Sequence, residues 1–233
     1  MKRLIAICLV ITTLGACAVE DTSARARVLS PCAGITIRLA SRTVEVQAWT
    51  CRDSGAIIQV ACAANTREHE SLLVVAPQPS EIQAALHMAG FAEGSPGRWI
   101  RQDDESRFVP PTGAAVDISV RCEPGPGQFV EVPISYWVRH ADDITTLPGN
   151  TWIFGGSHLA ETPAWVGGEA QLEADLTGSV IGLVTFGDEV LGLPHGFADP
   201  AAGDPGAWLI RTPHVPPIGT PVTLLLRPAA EGG

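Results

Sequence analysis

Lysine is all but missing from this chain: Lys2 is the only one, and every other base is an arginine. Tyrosine occurs once, at Tyr136, and aromatic residues make up only 6% of the sequence. A nucleic-acid surface needs clustered bases on phosphates. Here 15 bases face 25 acids for a formal net charge of −10, which argues against that class. Beyond the N-terminal segment no apolar run approaches the roughly 20 residues of a membrane-spanning helix. Cys-x-x-Cys, His-Glu-x-x-His and Gly-x-Ser-x-Gly are all absent, so zinc-ribbon, zinc-protease and nucleophile-elbow signatures do not arise. The 24 Gly and 19 Pro are dispersed without a three-residue period, which excludes collagen. What remains is a chain 45% apolar over 233 residues, long enough to bury a core without disulfides standing in for one.

The N-terminus reads as an address. Lys2-Arg3 precedes an apolar run from Leu4 to Gly15, too short to span a bilayer and typical of a secretory signal. Leu14-Gly15-Ala16-Cys17 resembles a bacterial lipobox, in which the Cys17 thiol receives diacylglycerol; simple cleavage after Ala16-Cys17-Ala18 is the alternative. Residues 1–16 are therefore expected to be a lipoprotein signal peptide, 17–30 a tether and 31–228 a single domain. The expected location is the periplasm or the outer membrane, with membrane contact only through the N-terminal lipid.

Period-two alternation in Ile35-Thr36-Ile37-Arg38-Leu39 and in Thr43 to Trp49 predicts two half-buried strands. A two-residue turn at Ser41-Arg42 would join them and set Cys32 opposite Cys51. A second turn, Arg52 to Ala56, would lead into Ile57 to Cys62 as the next strand of a meander. These registers gather Ile35, Leu39, Val44, Val46, Ala48, Ile58, Val60 and Cys62 on one face. With Cys17 lipidated, four cysteines remain in an oxidising compartment, and the registers favour Cys32–Cys51 and Cys62–Cys122. Free, buried Cys62 and Cys122 are the alternative.

Further along, Leu72 to Val75 predicts a strand. Ser80 and Gln83 have capping-box spacing, and Ile82, Ala85, Leu86 and Ala89 form a helical stripe stopped by Gly90. Residues 92–113 read as loop, 115–122 and 128–133 as a hairpin, and 151–154, 170–176, 179–186, 207–212 and 221–226 as strands. The expected fold is α+β, mostly β: mixed or antiparallel sheets with one principal amphipathic helix at about 80–90.

Trp49-Thr50-Cys51, Cys62, Thr66 to Ser71, Pro79, Ala84-Ala85-Leu86 and Gly90 resemble the YdjY-domain family of exported bacterial proteins. Trp137-Val138, Trp152 to Ser157, Gly178, Phe186, Leu193-Pro194 and Pro217 to Val222 continue the likeness, which spans about residues 35–228. The family has no established activity. The resemblance implies a Cys51–Cys62 pairing, in conflict with the register argument.

Candidate chemistry concentrates at Glu68-His69-Glu70-Ser71. If the run is extended, Glu68 and Glu70 project to one side and His69 and Ser71 to the other. The imidazole and carboxylates could order a turn, or bind a ligand. His69 and Glu70 could instead hold a divalent metal, alone or with a distant histidine such as His140, His158 or His195. Acid–base catalysis at His69 is a further reading. Ser157, in Gly155-Gly156-Ser157-His158, is a weak nucleophile candidate. Asp103-Asp104-Glu105, Asp142-Asp143 and Asp188-Glu189 read as solvated turns, and the six tryptophans as packing more than a sugar platform. The preferred function is a non-enzymatic envelope module binding a protein partner or small ligand. A metal-binding protein and a hydrolase using Ser157 or His69 are the alternatives.

Overall fold

The structure is a computed structural model that describes residues 28–102, 105–142, 147, 151–161, 168, 170–196 and 208–230. Cys17, Asp103, Asp104, Asp143 and Trp165 lie outside them. Twelve strands carry the argument. In chain order they are β1 (Ile35–Arg38), β2 (Thr43–Thr50), β3 (Gln59–Ala63), β4 (Ser71–Val75), β5 (Arg98–Gln102) and β6 (Glu105–Val109). Then come β7 (Ala115–Gly125), β8 (Gln128–Pro133), β9 (Thr151–Phe154), β10 (Ser179–Gly182), β11 (Leu191–Gly192) and β12 (Pro221–Pro228). Two helices matter, α1 (Pro79–Met88) and α2 (Glu173–Thr177).

Eight strands close into a mixed barrel in the order β2-β12-β7-β9-β11-β10-β3-β4, with β4 returning to β2. The expectation of a mostly β fold holds, but the sheet is a barrel, not an open meander. Closure removes the unpaired edges that an open sheet exposes. Two pairs are parallel, β3 with β4 and β10 with β11; the rest of the ring is antiparallel. Period-two strands such as β2 put Val44, Val46 and Ala48 inside and Glu45 and Gln47 outside. β3, by contrast, is buried on both faces, as a parallel-paired strand covered on each side must be. Trp152 and Phe154 from β9 fill the interior with Ile118, Val120, Leu224 and Leu226. Each such side chain contributes about 1.5–3 kcal/mol by leaving water. The Trp152 indole nitrogen is also satisfied, donating to Gly182 O at 2.8 Å.

The first hairpin forms with a register different from the expected one. Ile35 lies opposite Val46 and Ile37 opposite Val44, so the turn spans four residues, 39–42, not two. Arg42 at φ 51° makes the bend and its guanidinium bonds Ala89 O and Gly90 O, pinning the hairpin to the end of α1. A slip of two residues preserves faces, so Ile35, Val44, Val46 and Ala48 stay buried with Val60 and Cys62, whereas Leu39 and Ile58 are half-buried, Ile57 is buried instead, and Cys32 no longer meets Cys51. The second hairpin does not form at all: β2 pairs with β4 and β12, and β3 pairs with β4 and β10. Cys32, Cys51, Cys62 and Cys122 are free thiols, so none of the pairings Cys32–Cys51, Cys62–Cys122 or Cys51–Cys62 is present. Cys51 instead donates to Ser71 O at 3.2 Å, and burial pushes its thiol up to about 12.

α1 buries Pro79, Ile82, Ala85 and Leu86 against the sheet, as its stripe predicts. Its capping box is Gln78 with Glu81, not Ser80 with Gln83, and Pro79 occupies the first turn. β5 and β6 form a hairpin where a loop was expected, and residues 173–177 are helix where strand was expected. Trp137, Trp152 and Trp208 are fully buried, so they pack the core and offer no platform to a sugar. Among the described residues no helix is long and apolar enough to cross a membrane.

Candidate functional site: an acid pair beneath Arg67

The run Glu68–Glu70 is a single 3₁₀ turn, not an extended strand, so its side chains do not alternate as expected. The local reasons are visible. Ser71 is buried and its hydroxyl donates to Arg67 O at 2.8 Å, closing the turn from within. The Glu68 carboxylate accepts from the Asn65 backbone N–H, and the Glu70 carbonyl accepts from Ile58 N at 2.9 Å. His69 has its carbonyl bonded by Arg52, while its side chain is 76% exposed with Nε2 3.7 Å from Glu70 Oε2. His140 pairs with Asp142 at 2.9 Å, and His158 and His195 are exposed. Among the described residues no three His, Cys, Asp or Glu side chains converge as metal ligands do.

The turn does point one residue inward. Arg67 holds Asp188 Oδ2 at 3.5 Å and Glu70 Oε1 at 3.8 Å, and its guanidinium lies 4.8 Å above the Phe186 ring centroid. The buried Gln59 carboxamide is satisfied when its nitrogen donates to Ala61 O at 3.2 Å. In that orientation its oxygen accepts from Ser179 Oγ at 2.9 Å and Arg67 Nη1 at 3.3 Å. Arg67 is thus clamped between two carboxylates, an amide and an aromatic face, a use to which a planar guanidinium is suited.

Asp188 and Glu189 are not the solvated turn their sequence suggests. Their exposures are 5% and 2%. Glu189 Oε2 accepts from the amides of Phe186 at 3.2 Å and Gly187 at 2.9 Å, whereas Oε1 has no partner among the described residues; nor has Asp188 Oδ1. Burial pushes the Glu189 carboxyl up to about 8, and the adjacent Asp188 charge adds to the push against the pull of those amides. At neutral pH the Glu189 carboxyl therefore favours its protonated form, while Asp188 faces Arg67. The segment leading into β5 packs on residues 185–187: a methyl built on Gly97 would meet Thr185 Cγ2 at 3.0 Å, and one on Gly187 would meet Gly97 O at 3.1 Å. What the corner offers chemically is one hydrogen-bond-donating acid, one carboxylate and two oxygens with spare capacity. A signal for it exists in the sequence, since these two acids are the only charges between Ser179 and Leu193.

Ser157 has a capping task. Its hydroxyl accepts from Ala174 N at 2.9 Å at the start of α2, and its own amide donates to Gln83 Oε1 at 3.1 Å. No imidazole or carboxylate bonds that hydroxyl among the described residues, whereas an activated serine requires one. His87, exposed on α1, is hydrogen-bonded to Glu93 at 2.5 Å.

Comparison with known proteins returns no matching family model, no matching curated protein and no matching solved structure.

Proposed function

We propose that this chain is an exported lipoprotein, tethered through Cys17 and similar to the YdjY-domain proteins, that serves as a non-enzymatic binding module of the envelope. Its site is the corner where Arg67 and Glu70 of the 67–71 turn meet Asp188 and Glu189. One observation carries this reading: adjacent carboxyls, both more than nine-tenths buried, each keep an oxygen without a partner among the described residues. Burying such groups costs stability that apolar residues of similar size would not, and strongly shifted acids gather at functional sites. The ligand best suited to two spare carboxyl oxygens carries N–H or O–H donors, such as an amine or amide.

Thermal unfolding with a panel of small amines, amides and divalent cations tests the reading. A donor-bearing compound should raise the midpoint of the wild type and lose that effect in Asp188→Asn, with the circular dichroism unchanged. A panel that leaves both proteins unmoved would make the pair a structural acid only. One divalent metal per chain, purified without chelator and lost in His69→Ala, would move the site to His69 and Glu70.

A further inference from the structure

Away from that corner, the outer faces of β1, β2, β12, β7 and β8 lie side by side, and the barrel wall is hollowed there. Two depressions, about 380 and 270 Å³, share Gln47 and Thr223 as a common floor and so form one trough across the strands. Strand register explains the alignment: Gln47 lies opposite Thr223, Thr223 opposite Arg121, and Arg121 opposite Glu131. Five strands at about 4.8 Å spacing make the trough about 19 Å long. The Thr36, Gln47 and Thr223 side chains reach it without an intramolecular hydrogen bond among the described residues. At its far wall stands Phe129, 67% exposed on β8, its ring open to a ligand seated in the trough.

The charged side chains lining the trough already have partners. Glu45 accepts from Arg38 Nε at 2.7 Å and Arg121 Nη2 at 3.4 Å, and Glu123, beside Phe129, accepts from Gly127 N at 2.6 Å. The floor strands are paired on both sides, which rules out addition of a peptide as an extra strand there. What is left is a row of fixed hydroxyl and carboxamide groups ending at an exposed aromatic face. Such a row meets a ligand that donates and accepts hydrogen bonds along its length and presents a flat C–H face to a ring.

We propose that this trough binds a neutral oligosaccharide, with hydroxyls on Gln47 and Thr223 and one sugar ring against Phe129. The proposal is independent of the Asp188–Glu189 corner. The full chain, purified in mild detergent, is titrated calorimetrically with two probes, the β-1,4-linked tetramers of glucose and of N-acetylglucosamine. Saturable binding of at least one is expected, with affinity lowered about five- to tenfold in Phe129→Ala and in Gln47→Ala. Both positions are exposed, so the variants should keep the wild-type unfolding midpoint. Leu159→Ala, exposed elsewhere on the surface, should bind as the wild type does. Absence of saturable heat with both tetramers, or equal affinity in all three variants, would overturn the proposal.

Discussion

Glu189 gives up water and gains two backbone amides but no ion pair among the described residues, and the proton it keeps has a consequence for stability. Its carboxyl titrates at about 8 when folded, against about 4.3 in an unfolded chain. Between those values the folded state binds more protons than the unfolded state. The unfolding free energy contributed by this group therefore falls as pH rises, by at most about 1.4 kcal/mol per pH unit, and levels off above the folded value. Denaturant midpoints measured from about pH 5 to about pH 8 should decline in the wild type and stay nearly flat in Glu189→Gln. An equal decline in both would assign the loss to other groups. The adjacent Asp188 lies 3.5 Å from the Arg67 guanidinium, so Arg67 is the residue on which the corner's electrostatics turn.

Between elements, Gly178 is a tight joint. It ends α2 at φ +80°, and a methyl there would fall 2.0 Å from Thr66 Oγ1, while its carbonyl accepts from Ala63 N on β3. Gly178→Ala should cost about 1–3 kcal/mol for the forced conformation alone, with more from displacing Thr66; chemical denaturation measures it. Much of the element order was legible. Alternation in 35–49 and 115–133 and the stripe of α1 are local patterns, and each appears where its period places it. Register was not, because the turn at 39–42 is set by a distant contact: Arg42 reaches the end of α1, which no local pattern around Ser41 encodes. The β5–β6 hairpin was hidden by polar strands lacking an apolar face. The turn at 67–71 was identifiable as a place of interest. Its partner was not, because a pair of acids flanked by glycine reads as solvent-facing until the fold closes over it.

For the molecule as a whole, closure depends on β12. Leu224 faces Val46 of β2 on one side and Val120 of β7 on the other, so a single strand joins the beginning of the barrel to its middle. A chain ended at Thr220 should lose the cooperative unfolding transition, seen as a broad, shallow melt in circular dichroism. A sharp transition in that truncated protein would show that the remaining strands hold together alone. Ring closure of this kind ties folding speed to sequence separation, since β12 must find β2 across most of the chain before the ring shuts. For a polypeptide threaded through a translocation pore, assembly would then wait until residues 221–228 had cleared the membrane, and its half-made form would need shelter from aggregation in the meantime.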